Sequence, residues 1–348
     1  DPLWSRGLGD VYKRQPDGRG IVLRFEPNTG GVEPLLYSGT PEAPAALFAP
    51  WGEGFFTDSK GLFWHSGSAV YGRTTPLPSE AHWPPLWAKP PSPCSGTAIL
   101  HGSHFPDALR GALVATTLAK PAGILYALTG EESPTELLSS EDSAFRPRAV
   151  AVAPDGSLFF ADGPPQGGSI LRITAQDRPL PEIPTLTNAN AEELLDALKS
   201  PEDRVRENAR HQLGTLAATP TLEAIKSWAS RLNPADPQIE RHRLEALWAI
   251  RWFGAIDVPL LEKTLASPEP QVRAQGVRIL CEARSLLPDA MRRLTLMATD
   301  AHERVRLEVL AAARFFAGSE TPAAVRLVHR VLLGTLDSTL ERVAKETL

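Results

Sequence analysis

The sequence predicts a multidomain β + α protein, in which a partial β-propeller is followed by an α-helical solenoid of HEAT-like repeats. Three observations lead to this fold class. Short apolar runs broken by Gly, Pro, Asp and Ser fill the first half of the chain. Leu, Ala, Arg and Glu at helical spacing, with little glycine, fill the second half. In the second half, one motif recurs every 33–35 residues.

Residues 1–15 precede both patterns and fit neither. The stretch SRGLGDVYKRQ has no apolar period and no signal-peptide core. Its residues equal the translation of a DNA string that resembles a transposase adapter used in preparing sequencing libraries. We therefore predict that residues 1–15 are translated adapter and that native sequence begins near Pro16. A disordered native N-terminus is the alternative.

Residues 16–176 are predicted to be the C-terminal blades of a β-propeller. Dense strand–turn–strand units with no helix between them indicate an all-β fold. Residues 96–140 fit one blade, residues 145–174 most of another, and residues 20–71 one or so more. A closed propeller needs roughly four to eight blades, so a fragment is expected. A β-sandwich is the alternative. The predicted strands are GIVLRFE, GFFTD, GLFWHS, ALVATT, GILYALT, SLFFAD and SILRIT.

The proline-rich stretch at residues 76–96 is predicted to be a surface loop between blades. Residues 177–188 form a linker, and the HEAT-like repeats occupy residues 189–348. Each repeat opens with an Asp/Ser-Pro-type segment, which is expected to cap the helix after it. The repeats align on Val205, Ile239, Val272, Val305 and, more weakly, Leu340.

Composition excludes several classes of function. The 348 residues carry a net charge of -5, which does not suit a phosphate-binding surface, so no nucleic-acid partner is expected. No apolar run approaches the roughly 18 residues of a membrane span. The two cysteines, Cys94 and Cys281, fall in different predicted domains, and no CxxC or CxxCH motif occurs. Neither a zinc ribbon nor a c-type haem attachment is therefore encoded.

Candidate ligand-binding residues lie near strand ends in the propeller part. Asp58 and Asp162 both end a strand, where an aspartate either forms the turn or faces the mouth of the channel. Arg146 and Arg148 point to one side of their strand, where a guanidinium could hold a carboxylate or a quinone cofactor. A surface position or a salt bridge between blades is the alternative for both arginines.

The histidines and the repeated arginines give weaker signals. His101 and His104 lie near Cys94, but their spacing matches no strong metal motif, so no metal site is predicted. All three histidines, with His65 at a strand end, are expected to be turn or surface residues. For His65 a general base is the alternative. In the repeats, arginines directly after the aligned positions are expected to pair with an acid or carbonyl of a neighbouring repeat. Trp248 and Trp252, four residues apart, are expected to be core.

The stretches GIVLRFEPNTGGVE, FRPRAVAVAPDGSLFFADGPPQGGSILRIT and RHRLEALWAIRWFGAID resemble a family of membrane-bound dehydrogenases of planctomycetes and verrucomicrobia. The family's propeller is similar to that of glucose/sorbosone dehydrogenases, and a HEAT-like array comes after it. Arg146, Asp155 and Asp162 match positions of the family's blade motif. Relatives usually carry Asp-Trp or Asp-Asp where Asp162-Gly163 stands here. The blades that would hold a catalytic histidine and the haem motif are not found in this sequence.

The resemblance implies a periplasmic or cell-envelope setting and quinone-dependent oxidation of a sugar or alcohol. It also implies pyrroloquinoline quinone as the cofactor and a cytochrome c as partner or further domain. Under this hypothesis the chain is an inactive fragment of such an enzyme. The alternative is a non-catalytic propeller/HEAT binding module for polysaccharide or protein partners.

Overall fold

The computed structural model describes most of residues 94–335 and shorter segments on either side. The described residues are 21–26, 30–37, 45–49, 51, 54–57, 63–67, 85–87, 94–117, 124–128, 134–164, 167–335, 340–341 and 344. The predicted adapter at residues 1–15 and the candidate residue Asp58 lie outside them.

In the first part of the chain, the described residues form four antiparallel sheets in which strands adjacent in sequence are adjacent in space. All seven strands predicted from apolar runs are confirmed. The first sheet has two strands, the second and third have four each, and the fourth has three. The strands are β1 (Ile21–Glu26), β2 (Gly31–Tyr37), β3 (Ala45–Phe48), β4 (Gly54–Thr57), β5 (Phe63–Gly67), β6 (Pro85–Trp87), β7 (Cys94–Ile99), β8 (Leu113–Thr117), β9 (Ile124–Leu128), β10 (Thr135–Ser139), β11 (Pro147–Val152), β12 (Leu158–Asp162) and β13 (Ser169–Ile173).

One strand lies where the sequence predicted only a loop. Strand β6 falls inside the proline-rich stretch and pairs with β5, so that it completes the second sheet as an edge strand. Proline is tolerated on a sheet edge because its missing N–H can face away from the partner strand. The prediction of a loop was therefore wrong for residues 85–87.

The second, third and fourth sheets pack on one another in sequence order. Apolar residues of β7 and β8 contact Leu47 and Phe55 of the second sheet on one side. On the other side, Val114 and Leu125 pack with Val150 and Leu158 of the fourth sheet. Every residue of β8 is buried, as expected for a strand covered on both faces.

The first strands of successive sheets lie side by side, since β7 contacts both β3 and β11. Gly96 in β7 permits this approach: a Cβ there would lie 2.7 Å from the Cα of Ala149 in β11. Glycine is thus required at this position by the closeness of two backbones.

The second part of the chain is helical. Nine helices have described bounds: α1 (Ala191–Ala197), α2 (Asp203–Leu213), α3 (Ala218–Ser230), α4 (Ile239–Trp252), α5 (Val258–Leu265), α6 (Pro270–Glu282), α7 (Ala290–Met297), α8 (Glu303–Ala313) and α9 (Thr321–Leu332). Helices α2, α4, α6 and α8 form one layer, each in contact with the next, and α7 and α9 contact each other in a second layer. The aligned residues Val205, Val272 and Val305 are buried in the core between layers.

The repeated arginines brace the helix starts. Arg206, Arg273 and Arg306 each donate to the carbonyl oxygen six residues earlier, at Ser200, Ser267 and Asp300, over 2.5, 2.9 and 2.7 Å. Each also reaches the next repeat: Arg206 bonds Glu245, Arg273 bonds Asp300 and Arg306 bonds the Thr335 carbonyl. These contacts agree with the structural role expected for the arginines.

The expected helix caps are displaced by two residues. Ser200 Oγ accepts from the Glu202 N–H, and Ser267 Oγ accepts from the Glu269 N–H. Each serine therefore closes the turn before its helix, and a glutamate becomes the N-cap residue. Proline directly after each serine holds that turn in place.

Candidate functional site

The candidate site lies where the sheets meet the helices. The loop between β7 and β8, residues 100–112, faces the start of α2. We call this place the junction and define it by His101, Ser103, Glu202, Asp203, Arg206 and Arg241. Its contacts join residues about 100 positions apart in the sequence, such as Ser103 and Glu202.

Glu202 is inserted into the sheet part. Its carboxylate is 3% exposed and accepts from the Ser103 N–H at 3.0 Å and from the Ser103 hydroxyl at 2.5 Å. Gly102, at φ +110°, leaves space for the Glu202 side chain, because a Cβ there would collide with Glu202 Oε2. Because this side chain points across the junction, it does not cap its own helix.

Asp203, the next residue, lies close to side chains from both parts of the chain. Its carboxylate accepts from Arg206 and, at 2.8 Å, from Arg241. The Nδ1 atom of His101 lies 3.5 Å from the same carboxylate. Burial and the positive charges of Arg204, Arg241 and Arg206 lower the pKa of His101 to about 4. At neutral pH the imidazole is therefore uncharged.

A second carboxylate holds the far side of the junction. Glu245 is 1% exposed and accepts from Arg206 at 3.1 Å and from Arg210. Burial, with the nearby charge of Arg241, lowers the pKa of Arg206 to about 10. The Arg210 guanidinium also lies 5.2 Å above the Trp248 ring.

Trp51, from the second sheet, extends the contact along the helix layer. Its ring lies 5.2 Å from the guanidinium of Arg241, and its carbonyl oxygen accepts from Gln275 at 2.5 Å and Arg304 at 3.4 Å. Helices α4, α6 and α8 therefore all contact one tryptophan of the sheet part. The layer formed by α2, α4, α6 and α8 faces the sheets.

Two neighbouring cavities open at the junction, and both are lined by His101, Asp203, Arg206 and Arg241. The first, of 460 Å³, has four arginines and four carboxylates among its described lining residues; we call it the balanced cavity. The second, of 660 Å³, lies toward α1 and Trp51; we call it the cationic cavity. Small-molecule sites in proteins have volumes of roughly 300–1,000 Å³ and favour domain interfaces.

The two histidines of the HGSH motif have separate roles. His101 lines the cavities, whereas His104 is 1% exposed and ties down the segment after β13. Its Nε2 accepts from the Ala175 N–H at 2.9 Å, and its Nδ1 lies 3.4 Å from the Pro179 carbonyl oxygen. Cys94 is buried in the apolar core. Within the described part of the chain, no three His, Cys, Asp or Glu side chains are grouped as a metal site would require.

The residues predicted to bind a cofactor lie together but outside both cavities. The Arg146 N–H donates to Asp162 Oδ1 at 2.5 Å, and Arg148 Nε donates to the Gly163 carbonyl at 2.8 Å. Asp155, also from the blade motif, accepts from Ser157 and pairs with Arg172 at 2.5 Å. Arg146, Arg148 and Asp162 remain predicted ligand residues. The two hydrogen bonds join the start of β11 to the end of β12.

Other sequence predictions have mixed outcomes. Trp248 is half-buried, but Trp252 is 56% exposed and packs edge-on against His211, so the prediction of a core position for Trp252 was wrong. His65 lies in β5, and its side chain is outside the described part.

The sequence did not indicate Glu202, Asp203 and Arg241 as site residues. Their only local signal is the acidic pair that opens the first repeat.

Comparison with known proteins gives limited matches. Residues 92–163 match a domain of unknown function, DUF7133. A glucose dehydrogenase structure aligns with 27% identity over 40% of this chain and 42% of its own, with a TM-score of 0.30. The crystal structure of an engineered protein aligns with 22% identity over 45% of this chain and 77% of its own, with a TM-score of 0.29. No curated protein matches the chain.

The helices of the described residues are short, and α4 has 14 residues. None of them combines the length and the apolarity that crossing a bilayer requires.

Proposed function

We propose that this chain is a binding module in which the junction cavities hold a small molecule between the sheets and the helices. In this proposal the sheets are blades of a partial propeller and the helices are a HEAT-like array. The single observation that carries it is the pair of cavities sharing His101, Asp203, Arg206 and Arg241. Residues from two parts of the chain line these open cavities together.

The strand arrangement supports the propeller interpretation. In a propeller each blade is an antiparallel meander, and the first strands of the blades line a central axis. Strands β3, β7 and β11 are first strands of successive sheets and lie side by side. The helical layers support a HEAT-like array in the same way, because each repeat contacts its neighbours through equivalent helices.

The experiment is a thermal-unfolding screen of the chain against neutral, cationic and anionic small molecules. Ala49 lines both cavities, so Ala49→Phe fills space without changing charge. We expect at least one compound to raise the Tm of the wild-type chain and not that of Ala49→Phe. The control variant, Ala144→Phe, changes an exposed turn residue and should keep the response. A response that survives Ala49→Phe, or no response to any compound, would contradict the proposal.

A second candidate function rests on the hairpin formed by Arg146, Arg148 and Asp162. The sequence resemblance suggests a piece of a quinone-dependent sugar or alcohol dehydrogenase of the cell envelope, working with a cytochrome c. Arg146 and Arg148 both lie near the end of this hairpin, beside Asp162 and Gly163, which supports a site for a carboxylated quinone. Titration with pyrroloquinoline quinone, monitored by absorbance, tests it. We expect Arg148→Ala to weaken binding; absence of binding in the wild type would eliminate this candidate.

A further inference from the structure

The cationic cavity carries an excess of positive charge that the balanced cavity lacks. Its described lining includes Arg110, Lys199, Arg206 and Arg241, with Asp203 as the single carboxylate. His101 and His242 also line it, and burial lowers the pKa of both imidazoles, so they add no charge at neutral pH. The described lining thus includes four basic side chains and one acidic side chain, and Arg206 also pairs with Glu245, which lies outside this lining.

The carboxylates near these cations leave part of the cations' donor capacity unused. Asp203 is shared between Arg206 and Arg241, with His101 beside it. One carboxylate thus serves both guanidinium groups, and the Arg241 side chain remains 24% exposed.

Two of the basic side chains of the lining, Arg110 and Lys199, form ion pairs with exposed acids. Arg110 pairs with Asp107 at 3.0 Å, and Lys199 pairs with Asp196 at 3.1 Å; both acids are more than three-quarters exposed. Exposed pairs of this kind contribute little stability, since water competes for both partners. Arg110 and Lys199 can therefore turn toward a ligand at small cost.

The rest of the lining suits an organic molecule that carries an anionic group. Trp51, Phe55 and Ile99 provide an apolar wall, while Ser200 and Gln271 provide further polar groups. Guanidinium groups bind carboxylate and phosphate through paired, charge-assisted hydrogen bonds.

We infer that the cationic cavity binds a small organic oxyanion, a carboxylate or phosphate ester, through Arg241, Lys199 and Arg110. This rests on the proposed function and adds the chemical class of the ligand. The oxyanion contacts the Arg241 side chain, which is 24% exposed, and lies against Trp51. Arg110 and Lys199 close over it from the outer side.

The test is isothermal titration at fixed ionic strength with citrate, glycerol 3-phosphate and neutral sorbitol as probes. We expect one or both anions to bind and sorbitol not to bind. Arg241→Gln should weaken anion binding at least tenfold, because the central guanidinium is lost. Lys199→Gln should weaken it several-fold; this exposed residue can be changed without disturbing the core. Arg292→Gln, on the distant α7, is the matched control and should bind normally.

The outcomes separate the two proposals. If sorbitol bound as well as the anions, or if Lys199→Gln and Arg241→Gln bound anions normally, the inference would be wrong while the junction site could stand. Equal weakening by Arg292→Gln would show general charge attraction and would also overturn it. If the compound screen with Ala49→Phe finds no junction ligand of any charge, both proposals fail together.

Discussion

His101 shows how the surroundings of one residue decide its charge. A carboxylate 3.5 Å away would ordinarily favour the imidazolium form. Here burial and three arginines oppose it, and Asp203 is already shared between Arg206 and Arg241. The neutral imidazole therefore suits the junction, and the motif HGSH alone could not have revealed this. The arginines responsible lie more than 100 residues further along the chain.

We expect this histidine to make the stability of the chain depend on pH. Its pKa is 6.5 when unfolded and about 4 when folded, so its contribution is fully present above pH 6.5. That contribution is lost as pH falls from 6.5 through 4, because the unfolded state then binds the extra proton. The loss is on the order of 3 kcal/mol at most, from about 1.4 kcal/mol per pKa unit.

Urea unfolding of the wild type and His101→Asn at a series of pH values measures this effect. Asparagine keeps a polar side chain but does not titrate. The free energy of unfolding should fall more steeply in the wild type than in His101→Asn between pH 6.5 and 4. Parallel curves for the two proteins would show that the folded histidine titrates normally.

At the scale of helices and strands, the sequence predicted the type of an element better than its ends or the strand with which it pairs. Short apolar runs between turn residues identified β12 and β13, and the spacing of 33–35 residues located the starts of α2, α6 and α8. These signals are local, since each is carried by a short stretch of sequence. Strand β6 was missed because its pairing with β5, rather than its proline-rich sequence, makes it a strand. Trp252 has helical spacing from Trp248, yet it lies at the end of α4, beyond the covered face.

The contact between β7 and β11 gives a prediction at this scale. Gly96→Ala would place a Cβ within 3 Å of three backbone atoms of β11, none of which can move independently. We expect a loss of about 1–3 kcal/mol in the free energy of unfolding, measured by urea denaturation. Gly334→Ala is the control, since its nearest neighbour would lie at an ordinary 3.4 Å. If both variants were equally stable, the two strands could not be this close.

At the scale of the whole molecule, the main feature is that the sheet part packs on the layer formed by α2, α4, α6 and α8. Trp51, Ser103 and His101 from the sheets contact α2, α4, α6 and α8. The sequence predicted a β part followed by a helical part, but showed no sign of this contact. It depends on pairs such as Ser103 with Glu202, and a single sequence carries no record of which distant residues meet. The cavities could not be predicted for the same reason.

Hydrogen exchange at the Ser103 amide, compared between the wild type and Glu202→Ala, tests most directly that the sheets and helices close on each other. This N–H donates to Glu202 across the junction. In the wild type we expect strong protection, and in Glu202→Ala a loss of protection in residues 100–104 and 200–206 together. Glu207→Ala, an exposed acid on the same helix, should exchange like the wild type. An unprotected Ser103 amide in the wild type, or the same protection in Glu202→Ala, would contradict a closed junction.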